Sequence, residues 1–208
     1  MSLNIEKRKY RLTGLTRLLA AQAANPDVRS EYIASKAPSI EKGTDETEHL
    51  PQENMDTKGL TVFLRHIGIL SLSDYVVKGF LKEALGAIKS QVGVANVSTK
   101  IDNFVMIEPA YLHIRRGQVG IKAPDMVLER PLRAMTMQGP RVSLAASEVV
   151  EAGWDLEFEI SLLENPGTPK SKPLTFDVIE QALEYGAFKG LGQWRNAQNG
   201  RFTFERIA

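Results

Sequence analysis

From Trp154 to Leu162 the chain alternates without a break: Trp154, Leu156, Phe158, Ile160 and Leu162 are apolar, while Asp155, Glu157, Glu159 and Ser161 are polar. Successive side chains of a β-strand point to opposite faces, so one face of this strand belongs to a core and the other is wet and acidic. A sheet built around it is covered on one side, and that confines the helices of the chain to that side. The turn "EAGWD" feeds the strand, and "VSLAASEVV" and "WDLEFEISLL" are expected to pair across it as a hairpin.

Two segments carry helical periodicity. In "SLSDYVVKGFLKEALGAIKSQ" the residues Val76, Val77, Phe80, Leu81, Ala84 and Ile88 share one face, with Ser73 at the N-cap and Asp74 in the first turn. The second helix follows the linker "NPGTPKSKP". Thr175 caps it, Leu174 staples onto Ile179, and Phe176, Ile179, Ala182 and Leu183 form its apolar stripe, up to Gly186 as a left-handed C-cap. Strand character is carried by "KYRLTGLTRLLA", where Gly14 permits a bulge, by "LTVFLRHIGIL", by "NFVMIEPAYLHIRR" and by the late segment "RFTFERI". Between them, residues from about 25 to 58 are polar, acidic and dotted with Pro and Gly, and they read as an extended insertion or a partly disordered loop. The order strand, insertion, helix, several strands, helix, strand is that of an α+β domain with helices on one face of a mostly antiparallel sheet.

A chain of 208 residues, 43% hydrophobic and 25% charged, is long enough for a single domain with its own core. Its formal net charge of +1 argues against a histone-like or tail-type nucleic-acid binder, so an anionic partner has to be met by a local patch. The absence of cysteine excludes disulfides, thiolate metal sites and cysteine nucleophiles, and fits a reducing compartment. "MSLNIEKRKYRL" has no apolar core followed by a cleavage site, and no apolar run approaches the roughly 18 residues of a spanning helix. A cytoplasmic protein without a membrane partner is expected.

Three glycines, Gly190, Gly192 and Gly200, surround Trp194, Arg195 and Arg201 in "YGAFKGLGQWRNAQNGRFTFERIA", between the second helix and the last strand. Such a cluster marks a backbone that turns sharply or approaches something closely: a structural turn, a phosphate cradle or a nucleic-acid contact loop. A dinucleotide fingerprint is excluded, because it needs its glycines after a strand and before a helix, and no GK[ST] exists for a P-loop.

The same order of parts, helix, then Gly190-Leu191-Gly192, a polar basic stretch, and Gly200-Arg201-Phe202 leading into a final strand, resembles the glycine-rich loop of the RAMP superfamily. "VVKGFLKEAL" resembles the start of that family's first helix, and "SEVVEAGWDLEFEISLL" its hairpin and long strand. The resemblance covers most of the chain outside the insertion, and Phe202 departs from it by standing where the family loop often has a last glycine. It implies a single ferredoxin-like (RRM-like) domain, the build of RNA-binding backbone subunits and RNA-processing nucleases of CRISPR systems. It also implies self-association along single-stranded nucleic acid, RNA more than DNA. "ERPLRAMTMQGPR" and "YGAFKGLGQWRN" resemble, in addition, phrases of phage and prophage proteins.

On that scaffold Lys78, Lys82, Arg130, Arg133, Arg141, Lys189, Arg195 and Arg201 form one basic strip if the loop packs beside the first helix, with Gly190, Gly192 and Gly200 shaping the contact. The competing reading is a solvated lysine stripe (Lys78, Lys82, Lys89) and ion pairs of Arg130 and Arg133 with Glu129, Glu157 and Glu159. Trp194 either stacks a base or turns inward and pins the loop. For catalysis the candidate is His113, with Arg115 and Arg116 beside it to support a phosphate, against a structural histidine. "DETEH" at Asp45–His49 lacks rigid ligand spacing, so neither a metal nor a cofactor is expected. The leading expectation is a non-enzymatic nucleic-acid binder. A structural, assembly or host-antagonist protein that binds a protein partner comes second, and a metal-independent ribonuclease last.

Overall fold

The computed structural model describes residues 3–24, 60–136, 139–165, 167, 169 and 171–207, and between 132 and 144 it describes the backbone alone. The insertion at about 25–58 therefore lies outside the described residues, as do Asp45–His49. The fold is α+β with mostly antiparallel sheets.

In chain order the elements are β1 (Ile5–Gly14), β2 (Leu18–Leu19), β3 (Gln22–Ala23), β4 (Leu60–Val62), β5 (Leu64–His66), β6 (Ile69–Ser73), α1 (Asp74–Ala87), α2 (Lys89–Val92) and α3 (Val97–Phe104). There follow β7 (Val105–Glu108), β8 (Tyr111–His113), β9 (Arg115–Arg116), β10 (Val119–Gly120), β11 (Met126–Thr136), β12 (Gly139–Val150), β13 (Asp155–Leu163), α4 (Phe176–Glu184), α5 (Gly186–Lys189) and β14 (Phe202–Arg206).

The alternating strand β13 lies inside the largest sheet. Its one edge pairs antiparallel with β1, Tyr10 opposite Phe158 and Leu12 opposite Leu156, and its other edge pairs with β7 and then β9. The last strand β14 returns to the free edge of β1. Side by side the order is β14, β1, β13, β7, with α1 between β1 and β7 in sequence and α4 between β13 and β14. Both helices cover the face that carries Tyr10, Leu12, Leu156, Phe158 and Ile160, where Val77, Phe80, Leu81, Phe176 and Ile179 complete one continuous core. The opposite face is not acidic in balance: Lys7 binds Glu159, and Arg11 bridges Glu157 and Glu205.

The structure departs from the sequence expectations at several points. The expected hairpin between 142–150 and 154–163 does not form. β12 pairs with β11 along its length, and with β2 and β4, in a second sheet. Both edges of β13 are already taken by strands distant in sequence, so residues 151–154 cross from one sheet to the other. A third small sheet joins β5, β6 and β8. The helix α3, packed on α1, carries no periodic signal long enough to read from the sequence, and of its residues Val97 and Ile101 are buried. Ser73 and Thr175 stand at their N-caps, but neither side chain bonds the helix. Gly14 does not open a bulge, and Gly186 is not a left-handed cap but the start of α5. Each is glycine because an aromatic ring, Trp154 over Gly14 and Phe202 over Gly186, occupies the space a Cβ would need. Among the described residues no helix is long and apolar enough to cross a membrane.

These packing roles predict opposite signs for glycine substitutions. Gly186→Ala, forced against the buried Phe202 ring, is expected to destabilise the fold by about 1–3 kcal/mol. Gly79→Ala, in the exposed interior of α1 with open space around it, is expected to stabilise by about 0.5–1 kcal/mol. Urea denaturation of the two variants checks both.

Candidate nucleic-acid interface

The segment between α5 and β14 turns back on itself. Gly190, Gly192 and Gly200 all have positive φ, at 81°, 75° and 71°. A side chain at Gly190 would stand 2.5 Å from the carbonyl oxygen of Asn199, one at Gly192 2.5 Å from that of Leu19, and one at Gly200 would overlap that of Leu191. The glycines are thus required by backbone packed on backbone. The N–H of Leu191 donates to the Gly200 carbonyl (2.8 Å), that of Gly200 to Arg17 (2.7 Å) and that of Gly190 to Gly186 (3.1 Å). With those amides bonded inside the protein, the loop offers an anion its side chains more than a cradle of backbone N–H groups.

A template for the loop lies in residues 15–19. Leu15 donates to the Arg201 carbonyl, the Thr16 hydroxyl donates to the Gln198 carbonyl, and Arg17 Nε donates to Asn199 Oδ1 at 2.9 Å. A single turn of 3₁₀ helix, Arg195–Ala197, spans the outer part between two left-handed residues, Trp194 and Gln198.

On one flank of this loop Lys189, Arg195 and Arg201 line a cavity of about 420 Å³ together with Phe188, Asn196 and Gln198. Arg195 pairs with Glu83 of α1, which also lies 3.9 Å from Lys189, while Arg201 Nε donates to the Ala187 carbonyl. Among the described residues Glu83 is the one carboxylate paired with these three cations, through Lys189 and Arg195. Phe188 is 75% exposed beside them. Phe188 is not among the site residues expected from the sequence, although helical periodicity carried on from Ile179 and Leu183 puts residue 188 on the side away from the apolar stripe.

On the other flank Trp194 turns outward, 42% exposed, with φ +50°. The Arg130 guanidinium lies over its ring at 5.1 Å and donates to Ser147 Oγ (3.0 Å) and Gln193 Oε1 (3.1 Å). Ion pairing of Arg130 with Glu129, Glu157 or Glu159 is not what forms: Glu157 goes to Arg11 and Arg115, and Glu159 to Lys7.

The first-helix lysines are placed less favourably. Glu83 ties α1 to the loop, but Lys82 pairs with Asp102 of α3 at 2.5 Å and Lys78 reaches the Asp102 carbonyl at 3.4 Å. The strip is broken by these two carboxylates. Arg133 and Arg141 lie towards the tip of the β11–β12 hairpin, opposite Val142 and Ala134, and their side chains are outside those described.

His113 is paired. Its Nε2 lies 2.9 Å from His66 Nδ1, and His66 stacks on Tyr111. Arg115 and Arg116, expected to support a phosphate, are held by Glu157 and Asp125. Among the described residues no cluster of three or more metal-capable side chains exists. No protein-family model matches this chain, and no curated protein sequence does.

Burial first, then the neighbouring His66 and Arg115, pull the His113 imidazole below the ordinary histidine value of 6.5. A proton is then bound less readily in the folded chain than in the unfolded one. The stability His113 contributes is whole above that value and is lost as pH falls through it. Denaturation midpoints at about pH 7.5 and about pH 5.5 are expected to differ less in His113→Asn than in the unsubstituted protein.

Proposed function

We propose that the protein is a non-enzymatic binder of single-stranded nucleic acid, RNA in preference to DNA, with a RAMP-like, ferredoxin-like core. Support for the core comes from the strand order β14, β1, β13, β7 with α1 in the first half and α4 in the second, and from the glycine loop standing between the second of these helices and the last strand. The observation that carries the function is the cavity where Lys189, Arg195 and Arg201 meet the exposed ring of Phe188. Cations beside an exposed aromatic match the two chemistries of a single strand, the phosphates and the base faces. With a net charge of only +1 the affinity is local in origin and salt-sensitive. Self-association along the strand follows from the same reading.

Fluorescence anisotropy with labelled single-stranded RNA, single-stranded DNA and duplex DNA, at low and high salt and with light-scattering mass in parallel, tests this. Saturable, salt-dependent binding is expected, tightest for single-stranded RNA, with oligomers growing on the strand. The pair Lys189→Glu with Arg195→Glu is expected to weaken it at least about tenfold and to flatten the salt dependence by about 0.7 per lost phosphate contact. Phe188→Ala is expected to cost about 1–3 kcal/mol of binding with an unchanged fold. If all three probes fail to bind at low salt, the reading is wrong and a protein partner takes its place. What supports that second reading is that Lys82 and Arg195 already have the carboxylates of Asp102 and Glu83 as partners.

A further inference from the structure

Arg8, Arg11, Arg65, Arg115, Arg116 and Arg195 each have a carboxylate as ion-pair partner. Arg130 is more buried than any of them, at 8% exposure, and has no carboxylate partner among the described residues. A guanidinium carries five N–H donors, and this one uses two groups, both towards neutral oxygens, while its Nε is buried and has no hydrogen-bond partner among the described residues. A buried cation with neutral company is strongly disfavoured unless an anion completes it. The ring of Trp194 offsets part of that penalty and leaves its own surface half open.

The surroundings hold the guanidinium in place from below. Gln193 Oε1 accepts from Arg130, Ser147 and Thr61, and the Ser147 and Thr61 hydroxyls lie 2.7 Å apart. Gln193 and Thr61 are also in the wall of a cavity of about 550 Å³ whose other lining is largely apolar. Trp194 keeps a left-handed backbone that bulky residues rarely adopt, and so presents its ring outward beside the unpaired charge.

We infer that Arg130, braced by Ser147 and Gln193 and roofed by Trp194, receives the phosphate of a nucleotide whose base lies on the open part of the Trp194 ring. An anion alone would satisfy the guanidinium; the adjoining aromatic surface selects an anion that carries a planar ring. The ligand class rests on the nucleic-acid reading above, but the residues differ from the cavity of Lys189, Arg195 and Arg201.

The test uses the full chain and its own fluorescence, since of the two tryptophans Trp154 is fully buried and Trp194 is exposed. The probes are uridine monophosphate, uridine, inorganic phosphate, a short oligouridylate and a polyglutamate peptide. Expected is saturable quenching by the monophosphate and the oligouridylate, at least tenfold weaker with uridine, and lost in Arg130→Met. Should that variant fail to fold, Gln193→Glu keeps the arginine and hands it a carboxylate. Its melting temperature is expected to rise, and the monophosphate, which raises the melting temperature of the unsubstituted protein, is expected to leave it unchanged.

Equal responses to uridine and its monophosphate, undiminished binding in Gln193→Glu, displacement by polyglutamate as effective as by phosphate, or no response to any phosphate probe would each overturn the inference. A response to the monophosphate without one to the oligouridylate assigns a free mononucleotide as the source. The two readings fail separately: strand binding that depends on Lys189 and Arg195 but not on Arg130 removes this site alone. Mononucleotide binding through Arg130 without strand binding removes the other.

Discussion

The packing of Trp154 is the contact on which the rest of the molecule turns. Its ring, fully buried, fills the place of a Cβ at Gly14, and its Nε1 donates to the Thr16 carbonyl at 2.8 Å. It meets Phe202 edge-on, and Phe202 in turn meets Phe80 of α1 and lies on Gly186. One aromatic chain thus joins the crossover from the second sheet, the end of β1, the start of β14, α1 and the start of α5. It also sets residues 15–19 at the height where their carbonyls and amides can bind the glycine loop. The shape of the candidate interface is therefore inherited from the core, because Thr16, whose hydroxyl binds the loop, is held through its carbonyl by the Trp154 indole.

Sequence and structure agree where the signal is local. The alternation from Trp154 to Leu162 gave β13 its two faces, and the helical stripes around Phe80 and Ile179 correspond to α1 and α4. They part where the deciding partner is distant along the chain. Nothing between Val142 and Leu163 says that β13 will choose β1 over β12, since the hydrophobic pattern of β13 suits either neighbour. The competition is settled by β1, whose Tyr10 and Leu12 bring the matching face. Gly14 and Gly186 show the same limit: a glycine kept for a ring that packs on it looks, in sequence, like one kept for its backbone freedom. Part of the candidate site was legible, in the glycines, Trp194 and the cations of the loop. What could not be read was which cations have acids beside them, because Glu83, Asp102 and Glu157 reach their partners across elements.

That allocation of charge explains how a nearly neutral chain can still present distinct surfaces. On the open face of the main sheet the acidic residues of β13 are matched across strands by Lys7 and Arg11, and Arg11 also holds Glu205 of β14. Exposed pairs of this kind add little stability, with a median of about 0–1 kcal/mol each, but they cancel the field of that face. The glycine-loop region differs because its cations outnumber the carboxylates within reach. Its flank of Lys189, Arg195 and Arg201 has one, and Arg130 has none among the described residues.

On the proposed reading, rigidity is what lets so small an excess of charge matter. Lys and Arg side chains lose rotamer freedom when they grip a ligand, and a loop that must also become ordered loses more. Here the loop is already closed by Leu191 on Gly200, by Gly200 on Arg17 and by Asn199 on both Arg17 and Trp194. The cations on and beside it are also held in place, Lys189 by Asn196, Arg201 by the Ala187 carbonyl and Arg130 of β11 by Ser147 and Gln193. The glycines thus act indirectly. By allowing backbone to pack on backbone they fix Phe188 on one flank and Trp194 on the other, so that two aromatic surfaces and their neighbouring cations are presented from a single stiff turn. A looser loop with the same side chains would carry the same charge and bind less, since the ordering would then fall on the binding step itself.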